Sequence, residues 1–317
     1  MKIKKKFIIF GSNFGSNTHL EVIKKLNKKN LINICSPHIK TKKKFLSFET
    51  FKNYNEALKN KFDFITIATP PLIQKKICKK ILDNKIKTNY ILLEKPISEN
   101  FKETKKIITR LSKNKIKFLV NFIFVNIPSF IKLNKLLNKK EISCVKYSWF
   151  FKQKYFVNKK KTWKTDHKIG GGIINYYLIH IFYNLLFYFE ELNIVDIKFK
   201  KTGRLITSLN LFMTANNNIQ VQIKININSK INEHGLLFET KKDKYHLINK
   251  SNDWVNNFNL YANDKKINIV NNQTDRTELT LKNYNKLLSG KYSKKTELNK
   301  TLKAHELCEI ASNKLDL

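Results

Sequence analysis

Hydrophobic and polar positions follow two different rhythms along the chain. Up to about residue 120, short apolar runs alternate with segments of helical periodicity, which is typical of a parallel α/β sheet. The predicted strands are 6–10, 31–35, 64–68, 90–93 and 116–120, and the predicted helices are 18–28, 54–59, 72–84 and 98–111, the last starting at Ser98. The run 64–68 is apolar apart from Thr66, as expected of a strand buried on both faces.

After Pro128 the pattern becomes a strict alternation. Every second residue from Ile219 to Ile227 is apolar and the residues between them are polar, which indicates an antiparallel sheet with one wet face. Similar segments occur at 143–150, 194–199, 205–212 and 236–240, and a closing helix is predicted at 297–311. We therefore expect two domains, an α/β domain at 1–121 and an α+β domain at 122–317.

The longest apolar stretch, 173–189, predicts a buried helix. It is shorter than the roughly 20 residues of a membrane span, and it contains Asn175, His180 and Asn184. The apolar run at 7–10 is also far shorter than the core of a signal peptide, which is about 7 to 15 residues long. A cytoplasmic protein without a membrane partner is therefore expected.

Cysteine and charge narrow the function classes. The 4 cysteines are scattered, with no pair at the spacing of a metal or redox site, so neither metal ligands nor disulfides are expected. The formal net charge is +38, yet the 62 basic residues include few arginines, at 110, 204 and 276, and the lysines spread over the whole chain. This distribution favours a solvated lysine surface over a specific nucleic-acid site, although an anionic substrate stays open.

The chain has only 8 glycines and 5 prolines, so their positions are informative. The first motif, GSNFGSNTH at 11–19, lies between the first strand and its helix, where the pyrophosphate of a dinucleotide would meet a helix N-terminus. Gly11 keeps its place in the fingerprint G-x-G-x-x-G, whereas Asn13 and Ser16 replace the other two glycines. Gly11, Asn13 and Phe14 are the candidate cofactor residues of this loop.

Two further motifs follow central strands. IATPP at 67–71 and LLEKP at 92–96 lie at strand carboxyl ends, outside which ligands of open α/β sheets bind. They add Thr69, Pro70, Glu94 and Lys95 as candidates. Lys95 would project into the crevice and stabilise developing negative charge on a substrate oxygen. The alternative is that Glu94 and Lys95 form an ordinary surface turn.

The third motif is GGGIINYYLIH at 170–180. A helix after the glycines would place Tyr176, His180 and Asn184 on one face, at i, i+4 and i+8. A histidine has the near-neutral pKa of a general base, but a lone histidine on an apolar helix is more often a core residue. The residues alone leave both readings of His180 open.

Taken together, the motifs resemble the glucose-fructose oxidoreductase / inositol dehydrogenase (Gfo/Idh/MocA) family. The matching stretches run in order from the first strand and turn to His19, through DFITIATPP at 63–71 and EKPIS at 94–98, to WKTDHKIGGG at 163–172 followed by His180. The resemblance implies an N-terminal Rossmann parallel sheet that binds NAD or NADP, and a C-terminal α+β domain whose large open antiparallel sheet often serves oligomerisation.

The resemblance also implies site residues and an activity. Lys95 matches the catalytic lysine of the family and His180 its histidine acid/base, with Trp163, Asp166 and Tyr176 beside them at the substrate. The implied reaction is hydride transfer to or from a sugar, a polyol or a nucleotide-linked sugar. A homo-oligomer formed through the open sheet is expected.

The chain departs from the family pattern at several positions. Tyr176 and Tyr183 stand where the family usually has aspartates, and Gln74 stands where a histidine is common. A second hypothesis is therefore a non-catalytic member that binds a nucleotide or a protein partner. The end of the second strand, CSPHIK at 35–40, offers Ser36, His38 and Lys40 and no acid for an NAD ribose, which favours NADP.

Overall fold

The computed structural model describes residues 4–38, 45, 47–138, 140–158, 161–216, 218–269 and 274–317. The chain divides into two compact units. One consists of the described residues of Met1–Ile123 together with Arg276–Leu302, and the other of those of Phe124–Asp275 together with Lys303–Leu317.

The first unit contains a six-stranded parallel sheet. Its strands are β1 Lys6–Phe10, β2 Leu31–Cys35, β3 Glu49–Phe51, β4 Phe64–Ile67, β5 Tyr90–Leu93 and β6 Lys117–Val120. Their spatial order, β3-β2-β1-β4-β5-β6, is that of the Rossmann fold. β4 is buried along its whole length, as its largely apolar run predicts. The predicted parallel α/β sheet is confirmed, with the short β3 as an additional edge strand.

Four helices follow strands of this sheet: α1 Phe14–Leu26, α2 Tyr54–Ala57, α3 Pro71–Asp83 and α4 Phe101–Lys113. The predicted start of α4 at Ser98 is wrong. Asn100 caps the helix instead, because its side chain accepts a hydrogen bond from the Glu103 amide at 2.9 Å. Ser98 Oγ donates to the Asn100 carbonyl oxygen at 2.8 Å and so shapes the preceding turn.

A fifth helix, α8 Arg276–Ser289, also belongs to the first unit although it lies far along the chain. Its Tyr284 and Leu287 are fully buried in one hydrophobic cluster with Phe64 of β4 and Leu92 of β5. The unit therefore differs from the predicted division at 121/122, which left this segment in the second domain. The physical reason is that the apolar side chains of α8 complete the core of the parallel sheet.

The second unit is built on an eight-stranded sheet in the order β14-β13-β12-β11-β7-β10-β9-β8. Its strands are β7 Ile142–Lys152, β8 Leu192–Thr202, β9 Leu205–Ala215, β10 Ile219–Asn226, β11 Asn228–Thr240, β12 Lys244–Asn249, β13 Asn259–Ala262 and β14 Lys265–Ile267. β7 and β10 pair in parallel, and the other described pairs are antiparallel. The large, mostly antiparallel sheet is confirmed.

One face of this sheet is apolar. On β7, Val145, Tyr147 and Trp149 are buried and alternate with more exposed residues. The helices of the unit are α5 Pro128–Leu137, α6 Lys154–Asn158, α7 Ile179–Leu185 and the second part of α9 Lys294–Asn313. Among the described residues, no helix combines the length and the apolar character that a membrane span requires.

Candidate functional site

The loop after β1 closes tightly on the end of β4. Gly11 has φ +113°, and its amide donates to the Cys35 carbonyl oxygen at 2.8 Å. A Cβ at Gly11 would lie 2.4 Å from the carbonyl oxygen of Ala68, so any other side chain would force the two backbones apart. Glycine is required here both by the backbone angle and by the close approach.

The two missing fingerprint glycines leave the helix start intact. Asn13 precedes α1 with φ −97°, an angle that needs no glycine, and Ser16 lies inside the helix. The first turn of α1 carries no acidic residue. An anion at the start of this 13-residue helix would therefore meet the positive end of the helix dipole without repulsion from a carboxylate of the first turn.

The end of β2 is tied to this loop. Ser36 is buried, and its hydroxyl lies 2.7 Å from the hydroxyl of Ser12. The Ser36 hydroxyl also accepts a hydrogen bond from the His38 amide at 3.3 Å, while His38 itself is exposed. Lys40 lies outside the described residues. Neither Ser36 nor His38 carries a carboxylate, although burial and the charge of Glu56 raise the pKa of Cys35, the last residue of β2.

Thr69 and Pro70 follow β4 on the other side of the crevice. The Thr69 hydroxyl oxygen is buried and has no hydrogen-bond partner, although burying a hydroxyl unpaired is costly. Its methyl carbon would lie 3.6 Å from a Cβ at Gly11, so the two positions border the same space. Pro70 is exposed and precedes α3. A close backbone approach that only glycine permits, beside an unsatisfied hydroxyl at the carboxyl ends of parallel strands, fits a dinucleotide cofactor.

Glu94 and Lys95 come directly after β5. One carboxylate oxygen of Glu94 accepts from Asn121 Nδ2 at 2.8 Å and lies 3.0 Å from His19 Nε2. Burial alone would raise the pKa of the Glu94 carboxyl, but the hydrogen bonds from His19 and Asn121 and the positive charge of Lys95 lower it below its ordinary value. Lys95 is half-buried and precedes Pro96 through a cis peptide bond. Glu94 is therefore an ionised acceptor beside the candidate lysine.

Gln74 of α3 hydrogen-bonds to the backbone of the turn that contains Glu94 and Lys95. Its side-chain oxygen accepts from the Glu94 amide at 3.1 Å, and its Nε2 donates to the carbonyl oxygens of Glu94, Pro96 and Ile97 at 2.7, 3.0 and 3.1 Å. The side chain is fully buried. In the sequence Gln74 is notable only as a departure from a family histidine. In the structure it hydrogen-bonds to the backbone on both sides of Lys95.

In the second unit, the three consecutive glycines make room for the segment before them. A Cβ at Gly171 would lie 2.0 Å from the Trp163 carbonyl oxygen, and one at Gly172, where φ is +75°, would lie 2.1 Å from the His167 ring. Gly170 ends a short 3-10 turn with φ 85°. The glycines thus let the turns at 163–169 pack directly on the chain that enters the next helix.

His167 is a residue that sequence analysis missed. Both of its ring nitrogens are buried without a hydrogen-bond partner, and burial lowers the pKa of the imidazole. The sequence offered one sign, a histidine within WKTDHKIGGG, but nothing in the pattern placed it under Gly172.

The predicted single stripe of Tyr176, His180 and Asn184 needs correction. Residues Ile174–Leu178 form a π-helical turn, and the α-helix begins only at Ile179. A π turn has more residues per turn than an α-helix, so positions four apart no longer stack directly. Irregular turns of this kind occur often at functional sites.

Tyr176 and His180 have different aromatic neighbours. Tyr176 is half-buried and meets Trp163 edge to face at 5.5 Å between ring centroids, with Lys164 Nζ 5.2 Å from the centre of its ring. His180 is 6% exposed and stacks on Phe124 at 4.6 Å. Asp166 is exposed, and its carboxylate caps the turn by accepting from the Lys168 amide at 2.9 Å. Sequence reasoning had not found Phe124, which lies 56 positions before His180.

Comparison with known proteins supports the reading of the first unit. Residues 5–122 match the Gfo/Idh/MocA sequence model, described as an oxidoreductase family with an NAD-binding Rossmann fold. Residues 5–122 belong to the Gfo/Idh/MocA oxidoreductase family. Glu94, Lys95 and the Gly11 loop all lie within this Gfo/Idh/MocA region.

One curated relative is an uncharacterized oxidoreductase of Synechocystis sp. The two chains are 22% identical over 183 residues, which is 55% of this chain and 48% of the relative. The match thus spans about half the length of the curated relative.

Solved structures of related fold cover almost the whole chain. An oxidoreductase from Thermotoga maritima has a TM-score of 0.81 at 16% identity, covering 97% of this chain and 95% of its own. The WlbA dehydrogenase from Bordetella pertussis, in complex with NADH and UDP-GlcNAcA, has a TM-score of 0.78 at 14% identity and the same coverage. Biliverdin reductase from Synechocystis sp., in complex with biliverdin and NADP⁺, has a TM-score of 0.76 at 14% identity, covering 98% of both chains. At these identities the likeness establishes the fold.

We expect Gln74→Leu to destabilise the protein. The substitution keeps the volume roughly but leaves three carbonyl oxygens without the Gln74 donor, at about 1–3 kcal/mol for each buried group left unsatisfied, while the Glu94 amide keeps its bond to the Ile67 carbonyl oxygen. Urea unfolding measures the loss. Gln222→Leu is the matched control, because Gln222 makes one hydrogen bond, to Asn210, on the half-exposed sheet surface. Equal losses in the two variants would contradict the role of Gln74.

Gly171→Ala is expected to displace the Trp163 segment, because the new methyl group would meet the Trp163 carbonyl oxygen. Tryptophan fluorescence should shift as the surroundings of Trp163 change. Gly203→Ala, in the same unit, is the control: alanine is strained there by the φ of +59°, but its Cβ meets no atom within 4 Å and so displaces no neighbouring segment. A spectrum that changes equally in both variants would refute the packing role of Gly171.

Proposed function

We propose that the chain is an NAD(P)-dependent oxidoreductase that transfers a hydride to or from a CH–OH group of a sugar, a polyol or a nucleotide-linked sugar, with Lys95 and His180 as its working pair. The observation that carries the proposal is the close backbone approach at Gly11 beside the unsatisfied Thr69 hydroxyl, at the carboxyl end of a Rossmann sheet. Family membership of residues 5–122 supports the cofactor class.

The cofactor would lie along the first unit. Gly11, Asn13 and Phe14 would meet its pyrophosphate at the start of α1, and Thr69, Pro70 and Glu94 would line the nicotinamide side. Bound NAD(P) supplies or accepts the hydride. Ser36 and His38 stand at the end of β2, where they bring no carboxylate near the adenosine ribose. The lack of a carboxylate on Ser36 and His38 themselves favours NADP.

Lys95 and His180 would share the proton chemistry. The Lys95 ammonium would donate a hydrogen bond to the reacting oxygen and stabilise negative charge on it. A neutral imidazole at His180 would accept the proton of the hydroxyl during oxidation and return it during reduction. Tyr176 would add a neutral hydrogen-bonding hydroxyl where many relatives carry a carboxylate.

Half-buried aromatic rings support a ring-shaped substrate. Trp163 and Tyr176 meet edge to face, and Lys164 lies over Tyr176, so an apolar wall stands next to positive charge. Such a wall suits a sugar face with an anionic group attached, and Asp166 would accept from a sugar hydroxyl. The bound UDP-GlcNAcA of the WlbA dehydrogenase belongs to this chemical class.

The second hypothesis, a non-catalytic member that binds a nucleotide or a protein partner, rests on Tyr176 and the changed phosphate loop. Assembly is a further part of the proposal. β8 and β9 expose Val195, Phe199 and Phe212 at 59%, 41% and 37%, which suits a homo-oligomer formed through the open sheet.

Titration with NADPH and NADH, followed by nicotinamide fluorescence, tests the cofactor proposal. We expect binding in the micromolar range, about −8 kcal/mol, with NADPH the tighter ligand. Absence of binding by both nucleotides would favour the non-catalytic hypothesis.

Lys95→Met tests the catalytic proposal. With a substrate found by screening, the variant should lose turnover by about a hundredfold or more, the usual effect of removing one charge-stabilising donor. Nucleotide binding and the unfolding midpoint should stay near wild type. Lys102→Met, on the exposed face of α4, is the control and should keep full turnover. Undiminished turnover in Lys95→Met would refute the role of Lys95.

A further inference from the structure

A chain of buried polar groups runs beneath the cofactor side of the first unit. The Thr66 hydroxyl of β4 lies 2.7 Å from the Tyr284 hydroxyl of α8, which lies 3.2 Å from His19 Nδ1 of α1. His19 Nε2 continues the chain to Glu94 at 3.0 Å. Thr66, Tyr284 and His19 are each at most 1% exposed, so no solvent replaces these contacts.

The donors and acceptors in this hydrogen-bond network can be assigned from the chemistry of each group. An ionised carboxylate can only accept, so His19 Nε2 must carry a hydrogen and donate it to Glu94. In the neutral ring Nδ1 is then an acceptor, and the partner at hand is the Tyr284 hydroxyl. Burial raises the pKa of Tyr284, so the hydroxyl keeps its hydrogen and donates it to His19 while accepting one from Thr66.

A second set of hydrogen bonds connects α8 to the same carboxylate. Asn283 Nδ2 donates to Asn121 Oδ1 at 2.8 Å, and Asn121 Nδ2 donates to Glu94 at 2.8 Å. Two neighbouring residues of one helix thus act on Glu94 through two different intermediates. Glu94 lies beside Lys95, and its side chain keeps 25% of its surface exposed, so the held carboxylate can still face a ligand.

We propose that Tyr284 is a positioning residue for the cofactor site: its hydroxyl fixes His19 in the form with hydrogen on Nε2, and His19 in turn fixes Glu94 as an ionised acceptor next to Lys95. The consequence for nucleotide affinity rests on the proposed function. The positions of the hydrogens on His19 and Tyr284 do not depend on the proposed function.

The test is Tyr284→Phe. The ring should keep its place, because it stacks on Phe64 at 4.9 Å. The substitution removes the donor to His19 and also the acceptor of the Thr66 hydroxyl. The matched control is Tyr292→Phe, which removes another hydrogen bond of the same unit, from the Tyr292 hydroxyl to the Phe118 carbonyl oxygen at 3.3 Å. Unfolding midpoints of the two variants show whether both remain folded.

Nitrogen-15 NMR of the imidazole rings at pH 8 reads the arrangement without any ligand, with the His19 signals assigned from a His19→Gln variant. We expect wild-type His19 to be protonated at Nε2 and unprotonated at Nδ1, and Tyr284→Phe to shift the Nδ1 resonance while Tyr292→Phe leaves it in place. A proton on Nδ1 in the wild type, or an unmoved resonance in Tyr284→Phe, would overturn the proposal.

The pH dependence of NADPH affinity tests the consequence for nucleotide binding. The groups that face Glu94 are His19 of α1, Lys95 of its own turn and Tyr284 of α8. A less firmly held Glu94 takes up a proton at higher pH. In Tyr284→Phe the acid-side loss of NADPH affinity should therefore have its midpoint at a proton concentration about threefold to tenfold lower than in wild type. A profile that matches wild type would overturn the proposal. Failure of the wild type to bind either nucleotide would count against the proposed function, and the NMR result would stand separately.

Discussion

The hydrogen bonds to Glu94 are the interaction around which the first unit is organised. A carboxylate that is largely withdrawn from water needs partners, and the unit supplies them from α1 and from the end of β6, through His19 and Asn121. These groups come from distant parts of the chain, so the sheet and its helices must be in place before the charge is satisfied. The same contacts fix the direction of the turn that carries Lys95.

The glycine loop is constrained by the short distance between its backbone and that of the residue after β4. Gly11 meets the Ala68 carbonyl too closely for any side chain, whereas Asn13 adopts an ordinary backbone angle. The fingerprint therefore loses two glycines without losing the strand-to-helix geometry that a phosphate group requires. The positive net charge of the chain adds general attraction for anions, and the geometry of this loop adds direction.

The elements with strong local patterns could be predicted from the sequence. β4 is a largely apolar run, and the alternation from Ile219 gives β10, because in both cases the residues that decide the structure are neighbours in the chain. α8 and β12 to β14 escaped prediction, since their place depends on partners far away in sequence. The site divides in the same way. EKP could be recognised locally, but its partners His19, Gln74 and Tyr284 are defined only by the fold, and the π turn at 174–178 has no simple sequence pattern.

The position of α8 also sets the order in which the protein can mature during synthesis. The six strands of the parallel sheet have all left the ribosome once residue 120 is free, yet Phe64 and Leu92 stay without their α8 cover until residues beyond 289 are made. While residues 121–289 are being added, the nascent Rossmann domain would thus expose an apolar face and a His19 without its Tyr284 partner, a state that invites chaperone binding.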